Sequence, residues 1–289
     1  MCSTAAGRRE SSVEYLAVFY GLACAVTWGA GDFSGGMAVK RTNPYGAVIA
    51  AHAVSLVVLV ILGAVTGEPL PPVRDLLWGC VAGVGGGVGL ALLYSALASG
   101  QMSIASPVSA MVAAGLPVLV GAFSDGLPGT ATLIGFALAL AAVWLVSGGF
   151  GVRFQIEKII MPLLSGVCFA TFFIFLDMGS GQSILWPLAV TRVASIASLL
   201  SFSITTHQPW IPTRESWIPI LLSSLLDSTG NALYAMSARL GRMDVAVVLG
   251  SLYPGSTVLL AWFILKERVS LLQLTGILVA LAAIVLITL

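Results

Sequence analysis

Four ionisable side chains fall inside long apolar stretches: Asp32, His52, Arg192 and Asp227. Placing such a group in lipid costs roughly a few kcal/mol or more, so each must face protein or a wet cavity, and each marks a candidate site of binding or proton movement. Asp227, Asn231 and Tyr234 are spaced i, i+4, i+7, which sets them on one helix face, and Ser224 extends the stripe by a turn. That stripe suits a cavity wall holding the polar end of a solute, with Asp227 carrying a coupling proton. It equally suits a structural pair between Asp227 and Arg192 that locks two helices together. Arg192 is a permanent cation whose planar fork of donors fits a carboxylate or phosphate, unless Asp227 or backbone carbonyls occupy it. His52 belongs to the residue type that changes charge near neutral pH and could relay a proton, or it is simply hydrogen-bonded. Asp32, a second candidate for proton coupling, follows Trp28 by one turn among Gly29, Gly31, Gly35 and Gly36. The glycines allow a ligand or a backbone to come close. Trp28 could stack on that ligand or serve as an interfacial anchor.

Two further spots carry backbone chemistry. Ser106-Pro107 and Tyr253-Pro254 put prolines inside apolar segments, where each removes a hydrogen bond and bends the helix. Pro107 and Pro254 are therefore hinge candidates or sites of static curvature, and Tyr253 is a candidate substrate contact. Gly79, Gly83 and Gly87, with Gly85 and Gly89, give successive GxxxG steps that allow close helix packing. Cys2, Cys24, Cys80 and Cys168 are isolated, without metal spacing. Only His52 and His207 are present as histidines, and no nucleophile–histidine–acid set, HExxH or Walker A motif is found. The sequence thus points to no catalytic residue, no metal and no cofactor, and away from an enzyme.

The elements that must hold these residues are membrane helices. Of 289 residues, 58% are hydrophobic and 9% charged, against roughly 25% charge in soluble domains. The net charge of +1, without a basic run, argues against nucleic acid as a partner; the partners expected are a lipid bilayer and a small-molecule substrate. Crossing the hydrocarbon takes about 20 apolar residues as a helix. Ten segments qualify: 15–37, 44–66, 76–98, 103–123, 130–147, 159–177, 183–204, 217–238, 245–265 and 270–288. A residue shift of 141 carries Gly89–Gly148 onto Gly230–Leu289 without a gap: Gly89 meets Gly230, Met102 meets Met243, Gly135 meets Gly276, and Ala139-Leu140-Ala141-Ala142 meets Ala280-Leu281-Ala282-Ala283. Segments 3, 4 and 5 so correspond to 8, 9 and 10, and the repeat unit has five helices. Because five is odd, the second copy enters the membrane from the opposite side.

The fold class expected is an all-α membrane protein of ten transmembrane helices in two inverted five-helix repeats. The first repeat is residues 1–148, with a short N-terminal tail over 1–13, and the second is residues 149–289. Such a pattern is that of a secondary transporter with a central site. Loop charges do not decide the orientation: with the N-terminus inside, five basic residues lie inside and seven outside. The oligomeric state is left open, and a monomer is compatible with it.

The chain resembles the EamA-type members of the drug/metabolite transporter superfamily over nearly its whole length. WGAGDF at 28–33 and the tail from Leu233 to Ile287 carry the likeness, with Lys266-Glu267-Arg268 followed by Gly276 at the junction of helices 9 and 10. The first-half junction departs from that pattern, reading SDGLPG, and His52 stands about where the second half has Arg192. The resemblance implies a multi-pass protein of the cell membrane with both termini cytoplasmic. It implies a cavity lined by segments 1, 3, 4, 6, 8 and 9. It also implies efflux of a small metabolite, an amino acid or an amphipathic compound, by alternating access. Uptake of a sugar or another small solute is the alternative, and an intramembrane enzyme or a non-transporting scaffold is the alternative of another class. The residues expected at the substrate are Trp28, Asp32, Arg192, Ser224, Asp227, Asn231, Tyr234 and Tyr253.

Overall fold

The computed structural model describes residues 2–98, 102–124, 126–146, 156–265 and 270–287. The Lys266-Glu267-Arg268 junction and the boundary between residues 148 and 149 lie outside them. Helices are α1 (Cys2–Val39), α2 (Pro44–Thr66), α3 (Val73–Ala98), α4 (Met102–Ser124), α5 (Thr130–Val146), α6 (Ile156–Gly179), α7 (Leu185–Thr205), α8 (Trp217–Leu240), α9 (Met243–Gly250), α10 (Tyr253–Leu265) and α11 (Leu271–Ile287). Among the described residues there is no strand. Each expected segment is helical. The first helix also runs back to Cys2, through the stretch expected as a tail, and the ninth segment is divided into α9 and α10.

Local chemistry sets these limits. Asn43 caps α2 by accepting from the Gly46 N–H at 2.5 Å, and Pro44 fills the first helical position, where no N–H is needed. Gly67 ends α2 with a φ of 66°, the left-handed conformation that glycine adopts without strain. Between α9 and α10, Pro254 offers no N–H to the Gly250 carbonyl, and the chain turns at Ser251 and Leu252 before the helix resumes.

Among the described residues six spans are long and apolar enough to cross a bilayer, among them Pro44–Thr66 and Leu185–Thr205, and one of them, Met243–Ile264, takes in both α9 and α10. Their outward faces expose large apolar side chains such as Val65, Leu77, Leu164 and Ile204, which is what a lipid solvent requires. By contrast α8 is long but polar, and two of its hydroxyls tie it to neighbouring helices. Ser224 Oγ donates to the Ala51 carbonyl at 2.6 Å and Ser237 Oγ to the Ala17 carbonyl at 2.7 Å.

Helix pairing shows the two-repeat architecture. The pairs α1·α8 and α6·α3 are extensive and are exchanged when each helix is replaced by its counterpart in the other repeat. Likewise α1 packs on α9 and α10, as α6 packs on α4. The self-matched pairs α2·α7 and α5·α11 lie on the two-fold axis itself. Glycines on α3 let this core close: a Cβ at Gly83 would strike the Thr191 backbone, and one at Gly87 would strike Ser195, both on α7.

The ends of the bundle carry two clasps that the same two-fold relates. At one end the turn between α2 and α3 holds the start of α7. Glu68 Oε1 and Oε2 accept from the Ile184 and Leu185 N–H groups, each at 2.7 Å, and Trp186 Nε1 donates to the Glu68 carbonyl at 2.8 Å. A carboxylate on a helix N-terminus satisfies donors that have no partner within the helix. At the other end the turn between α1 and α2 holds the turn before α8. Arg41 Nη1 donates to the Glu215 carbonyl at 3.2 Å, and Thr213 Oγ1 donates to the Arg41 carbonyl at 2.9 Å.

Candidate functional site

Arg192 sits in the middle of α7 with its side chain 4% exposed, so each of its nitrogens needs a partner. Nε donates to Ser55 Oγ at 2.9 Å, Nη1 to His52 Nε2 at 3.1 Å and Nη2 to Asp227 Oδ2 at 2.7 Å. With His52 Nε2 accepting, the ring proton is on Nδ1, which donates to Ser195 Oγ at 2.7 Å. Ser228 Oγ donates to the Ser224 carbonyl at 2.6 Å, so Ser55 Oγ donates in turn to Ser228 Oγ. The result is a directed chain of hydrogen bonds joining α7, α2 and α8.

Asp227 also accepts from Asn231 Nδ2 at 3.1 Å, again on Oδ2. Trp28 Nε1 donates to Asn231 Oδ1 at 2.9 Å, which fixes the amide's orientation and ties α1 to α8. Below it Trp28 stacks on Tyr234, with ring centroids 5.9 Å apart, and tilts against Phe173 at 5.4 Å.

These groups border a cavity of about 70 Å3, room for roughly five water molecules. Trp28, Asp32, His52, Arg192, Asp227, Asn231 and Tyr253 all reach it. Its apolar wall includes Leu90, Phe169, Phe172 and Phe173. A second, smaller void continues past His52 and Asp227 to Tyr94 and Ser223, where the Tyr94 and Ser223 hydroxyls are 3.4 Å apart. The lining comes from both repeats: α1, α2, α3 and α4 of the first, and α6, α7, α8, the turn at Ser251 and the start of α10 of the second.

Two residues expected at the substrate lie behind the wall instead. Tyr234 is fully buried, and its hydroxyl donates to the Phe173 carbonyl on α6 at 3.0 Å. Ser224 is buried and spends its proton on the Ala51 carbonyl. Both share the face of α8 that carries Asp227, but the cavity spans only part of that face: Trp28 and Phe173 close it on the Tyr234 side, and α2 closes it at Ser224. The break between α9 and α10 borders the cavity through Ser251 and Tyr253. Pro107 lies early in α4, and its side chain is outside the described ones. The phenylalanines of α6 and Leu90 escaped the sequence reading because an apolar wall residue has the same type as any core residue. Phe169, Phe172 and Phe173 together on one segment were the only signal available. Among the described residues no group of three or more His, Cys, Asp or Glu could hold a metal ion.

A family model described as the EamA-like transporter family matches the chain twice, over residues 15–148 and 157–289. One solved structure, described only as "Crystal structure of protein", is similar over 93% of this chain and 95% of its own, at 16% identity and a TM-score of 0.78. At that identity the likeness is one of fold. No curated protein matches the chain.

Proposed function

This chain belongs to the EamA-like transporter family, a family of multi-pass membrane transporters of small solutes, and from that premise we propose that it is a secondary transporter working by alternating access. The solute is a small metabolite, an amino acid or an amphipathic compound, and it moves outward. One observation carries this reading: a cavity with polar and aromatic walls sits where the two repeats meet, beside the two-fold axis. Membrane cavities at such a place are where transporters hold their solute.

The paired clasps supply the means of alternation. Glu68 binds the start of α7 at one end, and Arg41 binds the turn before α8 at the other. Because the two-fold relates them, releasing one and keeping the other opens the cavity to one face only, and exchanging their states opens it to the other. Asp227, Asp32 and His52 border the cavity and are the groups through which a proton would couple to the cycle. Pro254 supplies a bend beside the site. An even number of crossings sets both termini on one face, the cytoplasmic one.

Reconstitution into liposomes tests the proposal. Purified protein should exchange at least one labelled amino acid or amphipathic solute across the bilayer under an imposed pH gradient. Folded, correctly inserted protein that exchanges none of a broad panel would remove the proposal's support. A reporter fused to each terminus should read the cytoplasmic side for both.

A further inference from the structure

We infer that the cavity recognises a solute through a cationic amine, with an apolar or aromatic body and no free carboxylate. The inference rests on the reading that this cavity takes the transported solute, and it narrows which solutes those are.

The cation already in the wall is committed. Arg192 donates to Ser55, His52 and Asp227, which uses three of its five N–H groups, and the Asp227 carboxylate balances its charge. Among the described residues the other basic side chain at the cavity is His52. His52 accepts through Nε2 and donates through Nδ1, so it has no edge to offer an anion. A substrate carboxylate would bring a negative charge to a cation that Asp227 already balances, or would have to displace Asp227 and strand a buried carboxylate.

The acids have capacity left. Asp227 takes both its bonds on Oδ2, and among the described residues nothing donates to Oδ1. Asp32 makes no hydrogen bond and no ion pair among the described residues, yet it borders the same cavity. The two are close neighbours, because α1 and α8 touch there: a Cβ at Gly31 would lie 3.4 Å from the Asp227 backbone nitrogen. With Arg192 balanced by Asp227, no counter-charge faces Asp32 among the described residues, and the two carboxyl groups can both be ionised in one small volume only against like-charge repulsion. An ammonium group between them would supply up to three donors to acceptors that have none.

The remaining wall suits such a guest. Trp28, Phe169, Phe172, Phe173 and Tyr253 ring the cavity, and aromatic faces attract cations as well as apolar bodies.

Three probes that share a phenyl body separate the possibilities: phenethylamine, phenylalanine and hydrocinnamate, which are a cation, a zwitterion and an anion. Binding to the intact protein in detergent micelles is measured by calorimetry. Phenethylamine should bind about tenfold or more tightly than either other probe, and Asp32→Asn should lower its affinity by about tenfold or more. Asp32 has no partner to lose among the described residues, so the variant should keep the thermal stability of the wild type; if it fails to fold, the comparison of probes on the wild type decides. Equal or tighter binding of phenylalanine or hydrocinnamate, binding of none of the probes, or an unchanged amine affinity in Asp32→Asn would overturn the inference. An amine that binds but is not exchanged by proteoliposomes leaves the cation site standing and counts against transport. Exchange of hydrocinnamate in preference to the amine does the reverse.

Discussion

His52 Nε2 accepts from Arg192 Nη1 at 3.1 Å, although the two residues stand at nearly matching places in the two repeats: the 141-residue shift carries His52 to Val193, next to Arg192. Helices on a two-fold axis bring matching positions face to face. Two arginines there would meet as two donors of like charge, whereas a neutral imidazole offers a lone pair. Divergence of the halves at this point is therefore what lets the axis be buried and polar. His52→Gln should be tolerated, since a carboxamide can accept from Arg192 and donate to Ser195, at a loss of about 1 kcal/mol. His52→Arg should cost about 3 kcal/mol or more, the usual penalty for an unpaired buried charge. Thermal unfolding of both variants in one detergent checks the contrast, and equal melting would refute it.

The Arg192–Asp227 pair, at 2.7 Å, predicts a rescue. Arg192→Met leaves the Asp227 carboxylate without its main donor, and Asp227→Asn leaves the guanidinium without a counter-charge. Loss of one partner of a buried pair costs about 3–5 kcal/mol, while loss of both is often close to neutral. Asp227→Asn should be the milder single change, because Arg192 keeps Ser55 and His52 and Asn can still accept. Folded yield and melting temperature should fall for each single variant and recover in the double. Without recovery, the pair does not hold the bundle together.

Close packing of α3 on α7 predicts a position-specific effect of one methyl group. A Cβ at Gly83 runs into the Thr191 backbone, next to Arg192, so Gly83→Ala must push α7 away and carry Arg192 with it. The cost should be about 1–3 kcal/mol, the range for overpacking. At Gly115 on α4 a Cβ meets nothing within 4 Å, so Gly115→Ala should be neutral or stabilise by up to about 1 kcal/mol through helix propensity. Measuring both by thermal unfolding separates packing from a general effect on membrane helices.

What could be read from the chain beforehand, and what could not, follows from the same physics. Segment lengths and the 141-residue shift showed ten helices in two opposed sets, because the bilayer demands long apolar runs and an odd repeat must invert. Pro254 marked the break in the ninth segment through its missing N–H. Periodicity set Asp227, Asn231, Ser224 and Tyr234 on one face of α8, yet it could not say how far along that face the cavity runs. That depends on Trp28 and Phe173, residues of other helices. The same limit hid Glu68: its partners, the N–H groups of Ile184 and Leu185, are backbone and leave no mark in residue type. The choice between a free and a paired Arg192 stayed open for a like reason, since it turns on an inter-helix distance.

The clasp at Glu68 predicts an effect on stability first and on cycling second. Glu68→Gln keeps one acceptor oxygen but removes the charge that faces the α7 N-terminus and one of the two N–H bonds. The expected loss is about 1 kcal/mol, that of a helix cap. If the clasp opens and closes during the cycle, its weakening should also change the maximal exchange rate in proteoliposomes while leaving the affinity measured in micelles within about twofold of wild type, a difference under 1 kcal/mol. A melting temperature and an exchange rate both equal to wild type would show that Glu68 is dispensable at this end of the bundle.

The break between α9 and α10 gives the sharpest test of motion, because it stands against the cavity. Pro254→Ala restores an N–H where the Gly250 carbonyl has no helical partner, so the two short helices can join across Ser251 and Leu252. Gaining a hydrogen bond should raise the melting temperature modestly, because Pro254 stands in the first turn of α10, where proline itself is tolerated. A straight α9–α10 would also draw Ser251 and Tyr253 away from Asp32 and stiffen the wall. If the bend serves the cycle, the maximal exchange rate should fall several-fold in the more stable variant, and the half-saturating concentration should move less. A variant that melts higher and exchanges at the wild-type rate would reduce Pro254 to static curvature. One that melts lower would mean that the turn at Ser251 and Leu252 is held by contacts the proline does not set.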